Sequence, residues 1–197
     1  MKTIKKFTFA TLATLAATLL FQTPITRADD NERGDHDRRI DHQFVILLAG
    51  VYQPVPVGHG PKGNLGLTVN LSDGSWFKVK IYLVSGLPGD KDRDDDKAIG
   101  AFYVAIGSGT GIVAYDLPGG SFSAKFLREH DDQEVLPGAD GSFTLDGTFK
   151  LDILEATGIY GGFVGGHIHM VDILKKRGDG TFLENCFCTI HPKLVAP

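Results

Sequence analysis

The chain is short of cysteine (2 of 197 residues), of basic charge and of long apolar runs, and each shortage excludes a class of protein. Two cysteines can close one bridge at most, so a small scaffold held by several disulfides is ruled out. Lys and Arg number 20 against 24 Asp and Glu. Without a basic stripe, counterion release from phosphates drives no association, and nucleic acid is not an expected partner. Beyond residue 28 no stretch approaches the roughly 20 apolar residues that cross a bilayer as a helix, so no membrane span is expected there.

What is present begins with a processing pattern. Lys2, Lys5 and Lys6 precede an uncharged stretch from Phe7 to Phe21, and the small residues Thr26 and Ala28 stand just before Asp29. This reads as a signal peptide over residues 1–28, and it places the mature protein in the periplasm or outside the cell. Its removal takes four cations (Lys2, Lys5, Lys6 and Arg27) and no anions, leaving 16 cations against 24 anions and a formal charge of -8. Residues 29–42, "DDNERGDHDRRIDH", carry one apolar side chain, Ile40, and cannot bury enough surface to offset ordering entropy. A charged, disordered tail is expected there.

From residue 43 to 197 the pattern changes to short apolar runs of period two, cut by Gly, Pro or Asp. That spacing indicates a single antiparallel all-β domain. The clearest hairpin places Leu65, Leu67, Val69 and Leu71 opposite Phe77, Val79, Ile81 and Leu83 around Asp73-Gly74-Ser75. Further strands are expected at 44–52, 98–106, 111–115, 121–127, 142–154, 166–174 and 181–190. Eight or so strands with almost no helical period suggest a barrel or sandwich. Asp90, Asp92 and Asp94 have the spacing of a calcium loop, but Asp95 stands where such a loop needs Gly and Ala101 where it needs Glu, so a solvated hairpin loop is the simpler reading.

The segment "DGTFKLDILEATGIYGGFVGGHIHMVDIL", Asp146 to Leu174, resembles the late strands of allene oxide cyclase barrels and the related dirigent proteins. In that group a strand runs into a Gly-rich turn with an aromatic, followed by a Gly-led strand and a final hairpin partner; Thr157, Gly158, Tyr160, Gly161 and Gly165 stand at the matching places. The first part of the motif departs, reading "EATG" where two glycines are common. The glycines would permit positive φ in a tight turn and let Tyr160 fold back onto the barrel end. The resemblance implies an eight-stranded calycin-like barrel around an apolar cavity, a hydrophobic small-molecule ligand, cofactor-independent cyclase or isomerase activity, and frequent homo-oligomers. It carries over no catalytic residue.

Candidate chemistry lies in "GGHIHMVDILKKRGDGTFLENCFCTIHP", Gly165 to Pro192. A turn centred on Gly178 would set Ile173 opposite Leu183, Asp172 opposite Glu184, Met170 opposite Cys186, Ile168 opposite Cys188, His169 opposite Phe187 and His167 opposite Thr189, with His191 diagonal to His167. His167, His169 and His191 then share one face. They are either solvent-exposed imidazoles on a polar wall or a three-histidine site for zinc or copper with an open position. The other face is the more apolar and carries Asp172 and Glu184. Buried side by side, two carboxyls cannot both ionise easily, so one could serve as a general acid and its neighbour as base; at a wet barrel mouth the pair would be unremarkable in its chemistry. Cys186 and Cys188 share that face, as a strained bridge or as buried thiols.

Three functions therefore stand open. An open interior with buried Asp172 and Glu184 favours an isomerase or cyclase, an open apolar interior favours a carrier, and a filled one favours an interaction module. Metal binding by the histidines is a separate alternative.

Overall fold

A computed structural model describes residues 40–56, 76–87, 97–105, 111–127 and 132–193. Its described strands are β1 (Phe44–Pro54), β2 (Phe77–Ser85), β3 (Gly100–Val104), β4 (Ile112–Leu117), β5 (Gly120–Phe126), β6 (Asp132–Pro137), β7 (Phe143–Ala156), β8 (His167–Lys176) and β9 (Phe182–His191). The first arm of the expected hairpin, Leu65 to Leu71, and the acidic loop at Asp90 to Asp95 lie outside the described residues, as does the expected signal peptide. No described helix is long and apolar enough to cross a membrane.

Eight strands close into an antiparallel barrel. Neighbours run β1-β2-β3-β4-β5 on one side and β1-β9-β8-β7 on the other, and β5 pairs with β7 to complete the ring. β7 makes closure possible through its length of 14 residues: its stretch 151–156 pairs with β5, its stretch 143–148 with β6, and β8 lies along its other edge. β6 thus hangs outside the ring. All six of its residues are exposed, which is why period-two apolar alternation gives no sign of it.

The interior follows strand parity. Phe44, Ile46 and Leu48 of β1, Val79 and Ile81 of β2, Val113, Tyr115 and Leu117 of β4, and Leu151 and Ile153 of β7 all point inward and are buried. One end of the barrel is solid. There the turn Gly158–Phe163 coils into a 3-10 helix and drives Tyr160 and Phe163 into the ring, where both pack against Phe44. Below them Tyr115 stacks on Phe122 with centroids 4.6 Å apart. Ile40, within the segment expected to be a tail, is buried against this end, and its backbone N–H donates to the Ile159 carbonyl.

The turn itself is built as the glycine pattern anticipates. Gly158 has φ +59, and a Cβ there would overlap the Gly119 carbonyl oxygen. Thr157 Oγ1 accepts from the Ser121 N–H at 3.0 Å, and the Tyr160 hydroxyl donates to the Pro118 carbonyl at 3.0 Å. A smaller cluster of Val55, Trp76, Tyr103 and Ala114 covers the outside of β3 and β4.

Candidate functional site

The opposite end of the barrel holds the two carboxyls. β8 and β9 form the hairpin that carries them, but its turn centres on Asp179, one residue later than expected. Lys176 pairs with Phe182, Arg177 N–H donates to the Thr181 carbonyl, and Gly180 takes φ +84. Asp179 decides this position, because its carboxylate accepts from both the N–H and the hydroxyl of Thr181 and pins the loop around itself.

Moving the turn centre by one residue moves every partner by two. Asp172 therefore stands opposite Cys186, not Glu184; Met170 opposite Cys188, Ile168 opposite Ile190, His169 opposite Thr189, and His167 directly opposite His191. The expected pairing of Ile173 with Leu183 gives way to Lys175 with Leu183. A shift of two preserves the faces, so both candidate groups still assemble.

Asp172 and Glu184 point inward and are 8 % and 5 % exposed. One oxygen of each carboxyl lies within 4.8 Å of the other, and the Tyr52 hydroxyl interacts with Glu184. Each faces a glycine across a second ladder: Gly147 of β7 pairs with Asp172, and Gly50 of β1 pairs with Glu184. Gly50 has φ +120, at a bulge where Ala49 pairs with Lys80 and Gln53 with Lys78. On the outer face of the same bulge, against β2 and β3, lies a groove of about 350 Å³ lined by Gly50, Gln53, Lys78, Lys80 and Tyr82 among others; Tyr52 and the two carboxyls do not line it.

Burial dominates the electrostatics of the pair. It raises Asp172 to about 7, opposed by the hydrogen bond from Glu184; it raises Glu184 to about 9, reinforced by the charge of Asp172 and opposed by the Tyr52 hydroxyl. At neutral pH the two therefore hold a proton between them. Asp172 Oδ1 is buried and has no hydrogen-bond partner. An acceptor in that state is costly for folding alone, which makes it the most pointed feature of the interior.

Cys186 and Cys188 are buried free thiols with sulfurs 3.6 Å apart. Cys186 also comes close enough to the carboxyls that one ligand atom from each of Asp172, Glu184 and Cys186 lies within 4.8 Å of the others. Burial pushes the Cys186 thiol well above its usual value, with the Cys188 contact adding to it.

On the outer wall, His167, His169 and His191 form the second group. The His167 and His191 rings stack with centroids 4.6 Å apart, and His169 lies edge-on to both at 5.0 and 5.5 Å. Burial, with neighbouring imidazoles next, holds His167 and His191 below the usual histidine value.

The sequence gives no reason to single out Tyr52 or the flanking glycines. Tyr52 has the same parity as Phe44, Ile46 and Leu48, so alternation alone would place it inside. What alternation cannot supply is that β1 closes against β9. Comparison with known families, curated proteins and solved structures finds no match to this chain.

Proposed function

We propose that this protein is an exported β-barrel that receives a hydrophobic small molecule at the Tyr52 end and isomerises or cyclises it by proton transfer between Asp172 and Glu184. The observation that carries this reading is Asp172 Oδ1, buried without a partner beside a carboxyl that burial keeps protonated. Partly buried Phe77, Val104, Phe126, Leu145, Leu174 and Phe182, packed around the core, supply apolar surface for such a molecule. The resemblance of residues 146–174 to allene oxide cyclase and dirigent barrels supports the same class of substrate, and the pattern of residues 1–28 supports export.

The chemistry needs no external acid. Asp172 Oδ1, in its ionised form, accepts a proton from a C–H or O–H of the substrate, and Glu184 gives its proton to the position where negative charge accumulates. Proton exchange between the two neighbouring carboxyls then returns the proton from Asp172 to Glu184, so the pair ends as it began. Tyr52 steadies Glu184 while it is ionised. The packed Tyr160 end confines any ligand to the other half of the barrel.

The test is native mass spectrometry of the protein from its own host, followed by turnover or solvent-deuterium exchange of the retained molecule. Asp172→Asn and Glu184→Gln should each lower the rate by about 10² to 10⁴ while the ligand still binds. Retention of an apolar ligand with no exchange would leave a carrier. Carboxyls that titrate as ordinary exposed acids would remove the reading altogether.

A further inference from the structure

We propose that His167, His169 and His191 form a binding site for a borderline divalent transition-metal cation, zinc or copper, on the outer wall of the barrel. The site is independent of the interior carboxyls. One nitrogen from each ring lies within 4.8 Å of the others, close enough that rotation about the side-chain bonds alone brings three imidazoles onto one ion.

The backbone has already fixed the arrangement. His167 and His191 are direct partners in the β8–β9 ladder, and His169 is the next residue on the same face of β8. Ordering three donors from separate loops would carry a large entropic penalty, whereas here both strands are held within a closed ring. The three rings pack on one another, and among the described residues no hydrogen bond to any of the three is recorded.

The surroundings suit an ion with one position left to solvent. His169 is exposed and the other two are half-buried. On β7, Asp152 pairs with His167 and Lys150 with His169. The Asp152 carboxylate is thus placed to accept from the free ring N–H of His167, the usual way in which a ligating imidazole is oriented. Cys186 and Cys188 lie on the inner face, which excludes a mixed thiolate–imidazole site and favours imidazole-only coordination.

Untagged full-length protein titrated with Zn²⁺ alone and with Cu²⁺ alone should bind one equivalent with a Kd of micromolar order or tighter. Replacing any of the three histidines by Gln should weaken binding about 100-fold, with an unchanged far-UV circular dichroism spectrum. Co²⁺ should give the visible bands of a tetrahedral ion. Asp152→Asn should weaken binding less than the loss of a ligand, about 10-fold or more. The Cys186→Ser/Cys188→Ser and Asp172→Asn/Glu184→Gln variants should bind as the parent does. Absence of saturable binding would overturn the proposal. So would binding that survives in the triple histidine variant, because the ion would then sit on other histidines, or binding lost with the interior carboxyls or thiols.

Discussion

Asp172 lies directly across the β8–β9 ladder from Cys186, and Glu184, two residues along the same inner face, reaches it from the side. The carboxyls are therefore neighbours without being a cross-strand pair, and each is left with a glycine on its other flank, Gly147 or Gly50. Three consequences can be measured in the unliganded protein.

Stability should fall with rising pH. Burial raises Asp172 to about 7 and Glu184 to about 9, whereas in an unfolded chain both ionise near about 4. Between those values the folded state binds more protons than the unfolded one. The stabilising effect is thus complete below about pH 4 and is lost as pH rises through the folded values. Urea midpoints should decline from about pH 5 to about pH 9, and Asp172→Asn/Glu184→Gln should flatten the decline. A slope of opposite sign would mean that the pair is ionised inside the barrel.

Tyr52→Phe should raise the apparent pKa of Glu184. The hydroxyl interacts with Glu184 and opposes the effect of burial, so its removal leaves the ionised carboxylate with less support. Carboxyl carbon-13 titration of parent and variant reads the change directly. No shift, or a downward one, would show that Tyr52 does not bond the pair.

The candidate residues were legible because alternation along β8 and β9 survives an error in the turn. Taking Gly178 as its centre misassigns every partner, yet His167, His169 and His191 stay on one face and Asp172 and Glu184 on the other. The true centre depends on Asp179 capping Thr181, a local competition among Gly178, Asp179 and Gly180 that composition alone leaves open. Strand spacing made an all-β barrel or sandwich legible, the choice of a closed eight-stranded barrel came from the resemblance of residues 146–174, and Tyr160 was legible from its glycine context. β6 was not, since a strand exposed on every residue leaves no periodic trace. Nor were Tyr52 and the two glycines, because their place beside the carboxyls comes from ring closure between strands far apart in sequence.

Both cysteines should resist modification in the folded protein. Both are fully buried, which keeps reagents out, and burial pushes the Cys186 thiol well above its usual value, so little Cys186 thiolate exists to react. A disulfide reagent should label them no faster than the barrel unfolds, and should label two thiols in denaturant. Rapid labelling of either one under native conditions would contradict the packing of β9.

The plugged end should govern stability without touching the chemistry at the other end. Tyr160→Phe removes only the hydroxyl that donates to the Pro118 carbonyl, and should cost about 1 kcal/mol. Tyr160→Ala also empties the space between Phe44, Phe122 and Phe163, and should cost about 3–5 kcal/mol. Gly158→Ala should be as severe as a core truncation despite adding one methyl group, because its φ of +59 disfavours a side chain and the new Cβ would press on the Gly119 carbonyl. Urea denaturation ranks the three variants. Carboxyl titrations of Asp172 and Glu184 in Tyr160→Phe should overlay those of the parent, since Tyr160 neither hydrogen-bonds the pair nor contributes to the shift of either carboxyl. A change in those titrations would mean that the two ends are coupled through the aromatic stack, and the plug would then belong to the site.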